Sequence, residues 1–190
     1  MQIITGTARG RRLQTPEGLG TRPTPARVKE ALFSAIQFDI EGRRVLDLFA
    51  GSGQLGLEAL SRGAAHATFV DNNAAAVAAI RANLTHTKLA ATAVVLQQDA
   101  LTALALRGDA SPGDAYDLAF LDPPYTAGLL TQCLTALAPR MHPGGIVICE
   151  SDTAAPPPPE SVGCLHLQKT YCYGHTVLYK YHAHAAENLT

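Results

Sequence analysis

No apolar run in this sequence is long enough to cross a bilayer. The longest, such as VLDLFA at 45–50 and GGIVIC at 144–149, fall far short of the roughly 20 residues a spanning helix needs. The amino-terminal MQIITGTARGRR also lacks the apolar core of a secretory signal. Both absences point to a cytoplasmic protein with no membrane partner. Paired cysteines are missing too: Cys133, Cys149, Cys164 and Cys172 form no CxxC, so they read as reduced core thiols. A zinc site from Cys164, His166, Cys172 and His175 would match ordinary ligand spacing poorly. His182 and His184 lie in a terminal YHAHAAENLT that reads as a frayed tail with nothing to complete a shell. No metal is expected. Internal repeats are absent, and 190 residues with 47% hydrophobic content suit one domain with a real core, expected to be a monomer.

Net charge is small, −1, but unevenly spread. Residues 1–44 hold eight Arg or Lys against four Asp or Glu, a net +4, and the remainder is −5. A basic arm on an acidic body is suited to local contact with phosphates.

From Arg44 onward, short apolar runs alternate with helical patterns: VLDLFA, QLGLEALSRG, HATFVD, NAAAVAAIRANL, TAVVLQQD, a short helix near 100–106, YDLAFLD, AGLLTQCLTALA and GGIVICES. This alternation predicts βαβ units and a mostly parallel, Rossmann-like α/β sheet. After the proline-rich TAAPPPPE, the segments VGCLHLQK and HTVLYKYH follow with no helix between them, predicting an antiparallel finish. Ahead of residue 44, IITGTARGRRLQT reads as a short hairpin. Thr24-Pro25 reads as a helix start, and Val28, Leu32, Phe33 and Ile36 recur at helical spacing. The chain thus divides into a basic hairpin-helix extension at 1–43, a catalytic domain at 44–182 and a tail at 183–190.

Two stretches carry chemistry. In DLFAGSGQLG, Gly51, Gly53 and Gly56 form a G-x-G-x-x-G between a strand and a helix, and Asp71 ends the next strand. A nicotinamide dinucleotide would use such a loop for its pyrophosphate. Asp47, however, faces the same crevice, where it would repel phosphate and attract an ammonium group. S-adenosylmethionine has no phosphate; it needs an acid near its amine, an acid for its ribose and a polar group near its adenine. Asp47, Asp71 and Asp99, at the ends of the first three strands, supply them, with Phe49, Asn72 and Ala100 completing the predicted cofactor set. The alternative for any one aspartate is a simple turn former.

The second stretch is FLDPPY at 120–125. A residue before proline is held extended, and Pro123 has no N–H to donate. Asp122 and the Pro123 carbonyl therefore form an acceptor cluster suited to an NH2 group, and Tyr125 offers a face on which an unstacked base can rest. Asp122, Pro123 and Tyr125 are the predicted catalytic residues.

These residues resemble the class I S-adenosylmethionine-dependent methyltransferases with D/N-P-P-Y motifs. Within that class the chain is similar to the bacterial family that methylates N2 of a guanine in 16S ribosomal RNA. The resemblance covers ITGTARGRRL at 4–13, RPTPARVKEALF at 22–33, VLDLFAGSGQLGLEALSRGA at 45–64, FLDPPY and the terminal KTYCYGHTVLYKY at 169–181. It implies ribosomal RNA in a partly assembled small subunit as the partner, with Arg9, Arg11, Arg22 and Arg27 as RNA contacts. Pro25-Ala26 stands where the family pattern is more polar, and Asp71 where glutamate is commoner. Competing readings are an adenine-N6 methyltransferase of DNA or RNA, a nicotinamide-dependent oxidoreductase and a noncatalytic RNA-binding module.

Overall fold

Five apolar segments lie side by side as parallel strands, the inner ones shielded on both faces and the outermost half-exposed at the sheet edge. They are β1 (Arg44–Leu48), β2 (His66–Asp71), β3 (Ala93–Gln97), β4 (Tyr116–Leu121) and β5 (Met141–Asp152). Val45, Leu48, Leu118, Ala119 and Phe120 are fully buried, as near-continuous apolar runs in a parallel sheet require. The computed structural model describes residues 1–15, 26–105, 115–124 and 128–185. Beyond β5 come β6 (Ser161–Val162), β7 (Leu165–Tyr173) and β8 (Thr176–Ala183), and the single sheet has the order β3-β2-β1-β4-β5-β8-β7-β6. The β5–β8, β8–β7 and β7–β6 pairings are antiparallel. The mixed sheet with an antiparallel finish is as the sequence pattern predicted. Strand order reverses between β1 and β4, so the crevice over their carboxyl ends is where such folds place ligands.

The connecting helices are α2 (Gln54–Ser61), α3 (Ala74–Thr87), α4 (Ala100–Ala105) and α5 (Leu129–Leu137). Two apolar clusters result. One lies under α2, α3 and the amino-terminal segment, with Phe69, Phe120 and Ile148 of the sheet. The other lies under α4 and α5, with Leu46, Val70 and Leu121.

Helix α1 (Ala26–Ala35) buries Val28, Leu32 and Phe33, and Ile36 just past its end is buried with them, the four positions the periodicity marks. At about 1.5–3 kcal/mol per large apolar side chain, these four hold it down with about 6–12 kcal/mol as an upper bound. Phe33 meets Phe120 with ring centroids 5.7 Å apart, so α1 lies directly on β4. The Thr24-Pro25 helix start lies outside the described residues.

The amino-terminal hairpin forms as its sequence predicts: the Ile3 and Leu13 N–H groups donate to the Arg11 and Met1 carbonyls at 3.0 Å, and the Gly10 N–H donates to the Ile3 carbonyl at 2.9 Å. Among the described residues of that arm there is one antiparallel bridge, Gln2 to Arg12. Its turn is held by α2. Ile4 and Thr5 give their N–H groups to the buried Glu58 carboxylate at 2.7 and 3.0 Å, while Thr7 and Ala8 give theirs to Ser61. Donors between the hairpin's paired ends thus dock it on α2. Gly6 permits the approach: a Cβ there would stand 1.7 Å from the Ser61 carbonyl oxygen. Ile3, Ala8 and Leu13 join the same apolar cluster as α1 and β4.

At the other end, β8 continues through Ala183, so His182, read from sequence as part of a frayed tail, sits in the sheet. His184 donates its N–H to the Cys164 carbonyl and packs edge-on against His166, centroids 4.8 Å apart.

Candidate active site at the strand-end crevice

Asp47 lies within β1, one residue before its end and level with Phe120 of β4 and Phe69 of β2. Only 3% of it is exposed, and its Oδ2 accepts the Gly56 N–H at 2.8 Å. That bond depends on glycine at position 56, where a Cβ would meet Phe69 Cε1 at 2.3 Å and Asp47 Oδ2 at 3.1 Å. The third glycine of the motif therefore brings α2 down onto β2 and seats the loop on the acid. Burial pushes the Asp47 carboxyl up to about 8; the Gly56 N–H opposes this, and the charges of Asp122 and Asp71 add to it.

Asp71 ends β2 and shapes the same loop. Its Oδ2 accepts the Gly51 N–H at 2.8 Å and its Oδ1 accepts the Asn73 N–H at 2.9 Å. Gly51 faces open space, since a Cβ built there meets no atom within 4 Å. Phe49 enters the loop with φ of 60°, a left-handed conformation that costs a non-glycine residue energy and is concentrated at functional sites. Asn72 is exposed beside Asp71, and its neighbour Asn73 caps α3 by accepting the Ala75 and Ala76 N–H groups.

Asp99 stands two residues beyond β3. It is exposed and its Oδ1 accepts the Thr102 N–H at 3.0 Å, so it also starts α4, with Ala100 buried behind it. Asp122 follows β4 directly and is half-buried, with Pro123 buried and Pro124 exposed. Burial holds the Asp122 carboxyl well above its ordinary range, and the charge of Glu150 pushes it further. Tyr125 and Arg22 lie outside the described residues. Arg9 and Arg27 are exposed, whereas Arg11 donates through Nη1 to the His86 carbonyl and is tied to α3.

The fold thus gathers Asp47, Asp71 and Asp122 in one crevice and leaves Asp99 on its β3 side. Sequence reasoning missed Glu150, buried near the end of β5 and close enough to Asp122 to act on its charge. The signal was present in GGIVICES, a fifth apolar run with a carboxylate at the same edge. It also missed Asn83, fully buried in α3, whose Nδ2 donates to the Ser52 and Gln14 carbonyls at 2.9 Å while its Oδ1 accepts the Gln14 N–H. One amide clamps the glycine loop to the amino-terminal arm.

The thiols divide. Cys133 and Cys149 are core residues whose protons burial holds on tightly, but Cys172 is exposed, contrary to the expectation of four core thiols. Its place on the edge of β7, facing away from the apolar cluster that holds Tyr171, explains the difference. Among the described residues no group of three or more His, Cys, Asp or Glu is placed to hold a metal ion.

The sequence pattern of the family described as conserved hypothetical protein 95 matches residues 1–182. YlbH of Bacillus subtilis is 39% identical over 178 residues, covering 93% of this chain and 95% of that protein. Ribosomal RNA small subunit methyltransferase D of Escherichia coli is 41% identical over 137 residues, covering 72% of this chain and 66% of that protein. Among solved structures, yhhF from Escherichia coli superposes with a TM-score of 0.82 at 34% identity, covering 97% of this chain and 98% of that one.

Proposed function

From the premise that this chain belongs to the conserved hypothetical protein 95 family, we propose that it transfers a methyl group from S-adenosylmethionine to ribosomal RNA of the small subunit. The finer part of the proposal is that the acceptor is the exocyclic N2 amine of a guanine. The observation that carries the reading is the juxtaposition of two carboxyls of raised pKa, Asp47 and Asp122, at the point where strand order reverses.

Asp47 fits a cationic ligand. An acid that burial keeps protonated is stabilised in its ionised form by an incoming ammonium, and a pyrophosphate would gain nothing there. Asp71, already holding the glycine loop, is placed for a ribose diol. Asp99 and Ala100 border the position for adenine, with Phe49 and Asn72 along the wall. The bound cofactor supplies an electrophilic methyl on a sulfonium, and its leaving group departs neutral.

Asp122 acts on the acceptor. An exocyclic amine is a weak nucleophile because its lone pair is delocalised into the ring. Hydrogen bonds from the amine to Asp122 and to the Pro123 carbonyl favour a more tetrahedral nitrogen and aim it, and positioning of this kind is worth several kcal/mol. As the N–C bond forms and the S–C bond breaks, the surplus amine proton leaves toward the Asp122 carboxylate. Tyr125 is proposed as the stacking face for the base, and Arg9, Arg22 and Arg27 as phosphate contacts in a partly assembled subunit.

The test has two parts. Calorimetry gives binding of S-adenosylmethionine and none of NAD. Asp122→Ala keeps that binding within about threefold yet lowers methyl transfer to small-subunit RNA by at least about a hundredfold. Unchanged turnover removes Asp122 from the mechanism. Nucleoside analysis of the methylated RNA identifies guanine N2, and methyladenine in its place overturns the acceptor.

A further inference from the structure

The carboxyl-terminal strands present a surface that the methyl-transfer chemistry leaves unused. Along β8 and β7 the side chains alternate between the two sheet faces. Val177, Tyr179 and Tyr181 go to the cluster under α4 and α5. Leu178, with Tyr171 and Tyr173 packed beside it, goes to the opposite cluster, the one holding Phe120 and Ile148. In register with Leu178 are Glu150 on β5 and Tyr171 on β7; one pair further along, Lys180 stands level with Ile148 and Lys169. Tyr171, Tyr173, Lys169 and Lys180 therefore share the sheet face that bears Asp47 and Asp122.

Three features of this face are those of a nucleic-acid platform. First, residues 161–185 contain two lysines, four histidines and four tyrosines and no Asp or Glu, in a chain whose net charge is −1. The carboxylates on or beside the face, Glu150 level with Leu178, Asp39 beside His182 and Asp152 opposite Thr176, lie on other segments. Second, Lys169 is exposed, and Tyr171, Tyr173 and Lys180 are half-buried, so aromatic and cationic groups interleave at the surface. The Lys169 ammonium already lies 4.9 Å from the Tyr171 ring centroid, a cation beside a π-face. Third, the platform is continuous with the reaction site. The order β4-β5-β8-β7 puts Tyr171 three strand spacings from Asp122, about 14 Å at ~4.8 Å per strand. That is well inside the span of a short single strand.

We infer that the β7–β8 face binds single-stranded RNA flanking the target nucleotide, with Lys169 and Lys180 on phosphates and Tyr171 and Tyr173 on bases. The inference rests on the proposed methylation of ribosomal RNA and extends it to a second contact besides the arginines. Stacking on tyrosine tolerates any base, so this face supplies affinity and orientation while the acceptor pocket chooses the nucleotide.

The experiment compares wild type with Lys169→Glu, Lys169→Ala/Lys180→Ala and Tyr171→Ala, using purified small-subunit RNA and, separately, assembled small subunits. Removing two phosphate contacts to single-stranded RNA lowers the slope of log affinity against log salt by about 1.4, and Tyr171→Ala weakens binding about tenfold. Lys169→Arg retains wild-type behaviour. Thermal midpoint and S-adenosylmethionine affinity stay at wild-type values in Lys169→Glu, whose side chain is exposed, which separates lost contact from lost folding. An unchanged slope in Lys169→Glu alongside normal wild-type methylation overturns this inference alone. Failure of wild type itself to methylate either RNA form overturns the function on which it rests. A defect confined to assembled subunits, with naked RNA bound normally, assigns the face to a protein partner and overturns RNA as its occupant.

Discussion

Burial holds on Asp47 a proton that an ordinary aspartate would have lost, and for the cofactor contact proposed above this makes binding pH-dependent. Its folded-state carboxyl is raised to about 8 from an ordinary 3.8. Stability drawn from the neutral form is fully present below the unfolded value and is lost as pH rises through about 8. An ammonium ligand favours the ionised form, so binding near pH 7 releases a proton. We expect S-adenosylmethionine affinity to rise up to tenfold per pH unit from 6 toward 8 and then level off. The unliganded protein loses stability over the same range. Titration calorimetry in buffers of differing ionisation heat reads the proton, and Asp47→Asn flattens the dependence; a flat wild-type profile would mean that Asp47 does not meet the ligand's cation. The identities of the three acids in the crevice were legible because a carboxylate at the end of an apolar run is visible in one dimension. The raised carboxyls of Asp47 and Asp122 were not, since burial and neighbouring charges raise them.

Helices and strands were legible for the same one-dimensional reason. Period 3.6 marked Val28, Leu32, Phe33 and Ile36, and unbroken apolar runs marked the parallel strands. The docking of the amino-terminal hairpin on α2 was not, because the donors of its turn go to Glu58 and Ser61, 53 or 54 residues away in sequence. Packing between α2 and β2 yields a sharper test. Gly56→Ala drives a methyl group to within 2.3 Å of Phe69 Cε1, and overpacking of this kind costs about 1–3 kcal/mol. It also lifts the loop from Asp47. We expect Gly56→Ala to lower both the thermal midpoint and the affinity for S-adenosylmethionine, whereas Asp122→Ala leaves the affinity largely intact. A Gly56→Ala protein with wild-type affinity would show that the loop can seat itself by other means.

At the level of the whole molecule, residues read as an extension turn out to supply part of the apolar cluster on one sheet face. Glu58 is fully buried and is satisfied by the Ile4 and Thr5 N–H groups and by Arg62 Nε at 2.8 Å. Deleting residues 1–5 strips two of these donors and removes Ile3 from the core. Leaving a buried charge short of partners costs about 3–5 kcal/mol, which for a chain of this size lowers the thermal midpoint by roughly 10 °C. Glu58→Gln in the shortened chain recovers part of the loss. A midpoint within a degree or two of wild type would mean that the arm is dispensable for folding.

The Ser52 hydroxyl of the glycine loop also donates to the Met1 sulfur, at 3.3 Å. A purification handle fused ahead of Met1 would therefore lean on the loop itself, and immobilising the protein by that end would report a weakened cofactor affinity belonging to the tether, not to the enzyme.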